Sequence, residues 1–212
     1  AEMKAVREAS FPMGIALRAV ETEVQSASAS VDRDRVHILN AIAGSEILER
    51  APPRAHPSYD EVNGTIRSRF AAAVLANAVR SHTGYVQRLI RAICGDTHRR
   101  ELDLQLTSSG FSDDMLQELA EALPASIESF GLGLGGTPVR DSGIVALGEA
   151  LRRLKAMSSF SLYVNGRALT SASSLALATG LGTLTELSTL KLYFTSTQVS
   201  DEGVTALARS LA

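Results

Sequence analysis

The sequence predicts an α/β protein: a short right-handed solenoid of about four strand–helix units with a parallel sheet, preceded by an all-α N-terminal region. Three observations carry this expectation. An apolar triplet at alternate positions recurs as Leu102, Leu104, Leu106, then Phe130, Leu132, Leu134, then Phe160, Leu162, Val164, then Leu190, Leu192, Phe194, at spacings of 28, 30 and 30 residues. A fixed period of that size marks stacked supersecondary units. Each triplet gives way to apolar residues three and four apart, as in Leu116, Leu119, Leu123 and Ile144, Leu147, Leu151, Leu154, so that a strand is followed by a helix. Residues 1–96 hold no copy of the period, which divides the chain into a helical region, 1–96, and a repeat domain, 97–212.

In chain order, Met13, Ala16, Leu17, Val20 and Val24 form one stripe and predict a helix from Met13 to Val24. Asp32 or Asp34 opens a second helix through Val36, Ile38, Leu39 and Ile42, ending near Gly44. Pro52, Pro53 and Pro57 make 51–57 a loop, because three prolines cannot share a helix interior. A third helix starts at Ser58 or Asp60 and runs through Val62, Ile66, Phe70 and Val74 to Val79. The fourth, from Gly84 to Ile93 with Tyr85, Leu89, Ile90 and Ile93 on its apolar face, is placed to cover the first unit's open side, as a terminal element of a solenoid must.

Within the repeats, the helix starts are spelled Phe111-Ser112-Asp113-Asp114, Val139-Arg140-Asp141-Ser142, Leu169-Thr170-Ser171 and Val199-Ser200-Asp201-Glu202. Short oxygen-bearing side chains there accept from a helix's orphan N–H groups, and carboxylates face its positive end. The third unit departs: Ser171-Ala172-Ser173-Ser174 replaces the Asp-x-Gly signature, and Gly180 and Gly182 interrupt the apolar stripe. Its helix is expected to be irregular or frayed.

The strings 139–151 and 199–211 resemble leucine-rich repeats of the ribonuclease-inhibitor type, and the resemblance covers roughly residues 97–212. Ile127, Met157 and Leu187 stand at that family's leading apolar positions, while the first repeat has Arg99 there. The family's Asn after the strand is present only as Asn165, with Thr107, Gly135 and Thr195 at the other three places, so no Asn ladder is expected. The resemblance implies recognition of proteins on a concave sheet, in roles that range from enzyme inhibition to scaffolding. It is silent on residues 1–96.

Composition narrows the classes. At 45% hydrophobic and 21% charged the chain is an ordinary globular sequence. Its longest apolar run, Phe70 to Ala76, is far short of the ~18 residues of a membrane span. Cys94 is the single cysteine, which precludes an internal disulfide, and its place on an apolar helix face reads as packing. Residues 101–212 carry 7 Lys+Arg against 12 Asp+Glu, a balance that argues against nucleic acid as a partner of that surface. Ala1 stands in place of an initiator Met, and the stretch holding Lys4, Arg7 and Arg18 also holds Glu2, Glu8, Glu21 and Glu23, unlike an organelle transit segment. The expected setting is intracellular, in the cytoplasm or in an organelle after removal of a presequence. At the other end, Leu211-Ala212 lies in a repeat helix with no polar cap, so a partner or further repeats are expected to cover it.

Searching for chemistry gives bland answers. His37, His56, His82 and His98 are scattered without metal-ligand spacing. Gly131-x-Gly133-x-x-Gly136 spells a dinucleotide fingerprint, but Thr137-Pro138 follows where a helix should open. Asp113-Asp114 sits at a helix start, and Asn63-Gly64-Thr65 reads as a chance sequon. No catalytic residue, metal ligand or cofactor is assigned, and the chain is expected not to be an enzyme.

What remains is a surface. With the triplets inward, the intervening positions form two columns on the concave face: Asp103, Gly131, Ser161, Lys191 and Gln105, Gly133, Tyr163, Tyr193. The candidate partner-binding residues are Asp103, Gln105, Ser161, Tyr163, Lys191 and Tyr193. Tyrosine is enriched at interface hot spots, although the same pair also serves as a cross-strand stabiliser. Gly131 and Gly133 either make a notch for a partner's side chain or weaken one strand. The function expected is a non-catalytic protein–protein interaction module with a protein partner of unknown identity. The alternative is a constitutive structural or accessory subunit of a large multiprotein complex, with an organelle as one setting, anchored by the helical N-terminal region and making obligate apolar contacts through residues 1–60 and the open C-terminal end.

Overall fold

Alternating apolar residues in the second half of the chain become parallel strands laid side by side in sequence order. The computed structural model describes residues 18, 20–29, 31–81, 86–166 and 169–211. After a one-turn 3-10 helix at Val24–Ser26 come helices α1 (Asp32–Ile42), α2 (Pro57–Ser81) and α3 (Val86–Cys94). Four strand–helix pairs follow: β1 (Glu101–Gln105) with α4 (Asp113–Ala122), β2 (Ser129–Gly133) with α5 (Asp141–Leu151), β3 (Ser159–Asn165) with α6 (Ser171–Leu181), and β4 (Thr189–Thr195) with α7 (Asp201–Ser210). The sheet order is β1-β2-β3-β4, all parallel.

Register follows the repeat spacing residue for residue. Leu102, Phe130, Phe160 and Leu190 are partners across the sheet, as are Leu104, Leu132, Leu162 and Leu192. In the first three units these side chains are buried, and they pack against Leu116, Leu119, Ile144, Leu147 and Leu177 of the helices. Burial of that row on one face, and exposure of the intervening residues on the other, is what an alternating strand achieves by its period of two. The core runs without a break from Ala71 in α2, through Val86, Leu89, Ile90 and Ile93 of α3, to Leu207 in α7. Both α2 and α3 cover the first unit, since α2 packs on β1 and α3 on α4.

Among the N-terminal elements, α1 runs from Asp32 to Ile42 and is followed by Gly44 at φ +68°, the left-handed conformation that glycine adopts cheaply at a helix end. Helix α2 begins at Pro57, where proline is harmless because the first helical N–H has no partner to lose. The helix expected from Met13 does not reach Val24: Glu23 is extended and Val24 begins the 3-10 turn, while Met13, Ala16 and Leu17 lie outside the described residues. Gly84 and Tyr85 also lie outside them, and α3 is described from Val86. Asn63 is buried in α2, where it accepts from the Val24 backbone N–H at 2.7 Å and donates to Gln25 at 3.0 Å, so the sequon is spent on structure.

Two expectations about the repeats are corrected. Helix α6 is neither irregular nor frayed; it runs unbroken over 11 residues, the same length as α5. Its Gly180 faces α5, and a methyl group there would collide with the Gly148 carbonyl. Glycine therefore permits close helix packing and does not break the helix. The second correction concerns capping. Thr170 caps its own helix, accepting from Ala172 N–H at 3.2 Å, but Ser112, Arg140 and Ser200 make no side-chain cap. Instead the residue one place on caps the next unit: Asp113 accepts from the backbone N–H groups of Arg140 at 2.7 Å and Gly143 at 3.2 Å, and from the Ser142 hydroxyl at 2.6 Å.

Candidate partner-binding surface

Each of the six predicted surface residues lies on a strand, on the sheet face turned away from the helices. Register sets Asp103, Gly131, Ser161 and Lys191 in one row and Gln105, Gly133, Tyr163 and Tyr193 in the next. Asp103, Gln105, Lys191 and Tyr193 are exposed, while Ser161 and Tyr163 are half-buried. The fold thus brings all six onto one sheet face, on β1, β3 and β4 with the glycines of β2 between them, which follows from the period alone.

Their geometry is uneven across the sheet. Tyr163 and Tyr193 stand edge to face with ring centroids 6.5 Å apart and planes at 63°, an arrangement favoured by the ring quadrupoles. Tyr193 is the outer member, 54% exposed. On the other side, Gln105 donates to Asp103 at 2.8 Å, so the two polar residues of β1 hold each other upright. The glycines between them are not empty space. A side chain at Gly131 would meet the Asp103 carboxylate, one at Gly133 the Gln105 amide, and one at Gly135 the Tyr163 ring. Neighbouring side chains lean over β2 from both edges, and what remains is a hollow of about 310 Å³ between Gln105, Gly133, Ser161, Tyr163 and Tyr193. A second hollow of about 280 Å³ lies beside it over Gly131, bordered by Asp103, Ser129 and Ser161. Of the two readings of these glycines, a notch or a weakened strand, the divided hollow corresponds to the first in shape.

Below the strands, each unit turns through a residue with positive φ: Ser108 at 56°, Gly136 at 71°, Gly166 at 134° and Ser196 at 55°. Asn165 accepts from the Gly136 N–H at 2.6 Å, tying the third unit's turn to the second. Thr107, Gly135 and Thr195 stand at the equivalent places of the other units, so among the described residues this tie is not repeated by an Asn.

A further hollow lies outside the surface read from the sequence. About 500 Å³ opens where α2 meets the first unit, lined by Thr65, Arg69, Asp96, His98, Arg99 and Arg100. Arg99 Nε is buried there with no hydrogen-bond partner among the described residues. Burial pulls the Arg99 guanidinium below its ordinary value, opposed by Asp96 and reinforced by Arg69. Its one legible sign was an arginine in a leading apolar position of the repeat. Arg69 carries no local signal, because its approach to Arg99 depends on how α2 packs.

Cys94 is partly buried, and desolvation, only partly offset by Arg153 and Arg99, pushes its thiol up to about 11, so it is a packing residue. No group of three His, Cys, Asp or Glu placed to hold a metal ion occurs among the described residues. No helix among them is long and apolar enough to cross a membrane.

Compared with known proteins, the chain matches no family model and no curated protein. Among solved structures it is similar to the second actin-binding site of leiomodin-1, at 17% identity and a TM-score of 0.45, over 66% of this chain and 87% of that one.

Proposed function

We propose that the repeats form a leucine-rich-repeat solenoid of the ribonuclease-inhibitor-like type, and that the chain is a non-catalytic protein-interaction module taking its partner on the concave sheet face. The observation that carries this reading is the Tyr163–Tyr193 pair bordering the 310 Å³ hollow, with Lys191 exposed on the adjoining row. Aromatic rings on rigid strands offer contact area at little ordering cost. The hollow accepts a small apolar or amide side chain against the rings and Gln105, while Lys191 meets a carboxylate.

Crosslinking in native extract, followed by affinity measurement with the partner so identified, tests this. Expected are crosslinks at Lys191 and a loss of affinity of about tenfold or more for Tyr163→Ala with Tyr193→Ala, with the melting transition retained. Undiminished binding by that double variant would sink the concave-face reading. The half-exposed apolar row of β4 favours the second reading, a constitutive structural subunit. That reading expects instead fixed stoichiometry, with crosslinks from residues 1–60 and 205–212.

A further inference from the structure

Equivalent positions in the four units can be matched through the register, and those of the fourth unit lack their cover. Leu116, Ile144 and Ser174 are fully buried, whereas the matching Val204 is 57% exposed. Leu123, Leu151 and Leu181 are buried, and the matching Leu211 is 49% exposed. The strand row agrees: Leu102, Phe130 and Phe160 are buried, but Leu190, Leu192 and Phe194 are only half-buried. Strand β4 has no strand partner on its outer side among the described residues, so it presents unpaired N–H and C=O groups beside that apolar row. Such an edge is a template for pairing.

The edge is complementary to itself. Strand β4 reads Thr189-Leu190-Lys191-Leu192-Tyr193-Phe194-Thr195. Laid antiparallel on a second copy about Leu192, it opposes Thr189 to Thr195, Leu190 to Phe194, Lys191 to Tyr193, and Leu192 to itself. Directly opposed residues in an antiparallel pair point to the same face, so the apolar row meets an apolar row. No like charges are opposed, and the Lys191 ammonium meets a tyrosine ring. Helix α7 is self-complementary in the same sense, with Asp201 and Glu202 in its first turn and Arg209 in its last. An antiparallel α7 pair brings each Arg209 to the other copy's acidic turn. A head-to-tail arrangement is closed off, because α2 packs on β1 and covers the first unit. Two-fold pairing uses only the open edge and stops at two copies.

We propose that two copies of this chain associate through β4 and α7 about a two-fold axis, joining two four-stranded sheets into one of eight strands. The inference stands apart from the concave-face reading. It adds that Lys191 of one copy and Tyr193 of the other would share the joint face.

Sedimentation velocity on the 212-residue chain, over a dilution series, decides the matter. Expected is a dimer at concentrations on the order of 10–50 µM that dissociates on dilution. Arg209→Glu should raise the dissociation constant about tenfold, and combining it with Asp201→Arg and Glu202→Arg should restore it to within about threefold. All of these side chains are exposed, and unchanged thermal unfolding of the monomer checks that each variant folds. A chain that is monomeric at every concentration would overturn the proposal and leave the edge to a strand–helix unit from another source, laid parallel so that its helix start meets Asp201. A dimer indifferent to both charge variants would overturn it equally.

Discussion

Asp141 sits on one helix and caps the next. Its carboxylate accepts from the Thr170 backbone N–H at 2.8 Å, from the Thr170 hydroxyl at 2.7 Å and from the Ser173 hydroxyl, so three donors of the third unit converge on one residue of the second. Partial burial pushes its carboxyl up, but the bonds from Ser173 and Thr170 outweigh this and hold it below the ordinary carboxylate range. A carboxyl depressed in the folded state contributes stability that is present above the unfolded value, about pH 4, and is lost as pH falls through the folded one. Asp141→Ala is therefore expected to destabilise the protein by about 1–2 kcal/mol at pH 7, with the difference shrinking below about pH 4, as read by urea unfolding at several pH values. The sequence marked Asp141 as a helix-start residue, which is correct, and assigned its bonds to its own helix, which is not. Spelling fixes the position of a carboxylate at a turn, whereas the target of its lone pairs depends on how far away the next unit is stacked.

At the scale of elements, strands were the most legible, because a period of two and a repeat of 28 to 30 residues are both visible without tertiary knowledge. Helix α6 was the least. Serines and glycines argue against a helix when propensity is the only guide, yet Ser173 and Ser174 are fully buried and Gly180 touches the α5 backbone. Tertiary packing overrides propensity here. The same physics predicts opposite signs for one substitution at two helical glycines. Gly64→Ala in α2 places its methyl 3.9 Å from the Gly95 carbonyl, its nearest contact, and should stabilise by about 0.5–1 kcal/mol through helix propensity. Gly180→Ala gains that term but drives α5 and α6 apart, at a cost of about 1–3 kcal/mol. Thermal unfolding of the two variants should move in opposite directions, and a Gly180→Ala protein as stable as Gly64→Ala would contradict the packing account. The first predicted helix shows the converse failure: a clean stripe that includes Val24 does not prevent the chain from leaving the helix before Glu23, where Val24 is recruited by Asn63 of α2.

For the molecule as a whole, one core joins α2 and α3 to all four units, so the helical region and the repeats share apolar contacts across residue 96. The sequence signalled the cover of the first unit through the apolar face of Leu89, Ile90 and Ile93, but not the contribution of Val74, Leu75 and Ala78 from α2, whose apolar residues spread around the helix. The six surface residues were legible as a set because they are the complement of the core row. The hollow around Arg69 and Arg99 was not, since it depends on a docking angle between elements. Burial that holds through the first three units and falls in the fourth has a measurable counterpart. Amide hydrogen exchange of the unassociated chain, at concentrations where it sediments as a monomer, should be slower in β1, β2 and β3 than in β4 and α7. Uniform protection across the four strands would show that the units do not open separately.

The capping bonds between units give the array a direction in time as well as in space. Asp113 serves the start of α5, Asp141 the start of α6, and Ser171 the start of α7 through the Ser200 N–H at 3.1 Å. Each of α5, α6 and α7 therefore finds the acceptor for its first backbone donor already in place only if its predecessor has formed. The converse does not hold, because a unit needs nothing from its successor to satisfy its own helix start. A chain emerging from the ribosome presents its units in that same order, so each can settle onto a finished template. Pulled from its C-terminal end, the protein would unravel in the reverse order, last unit first.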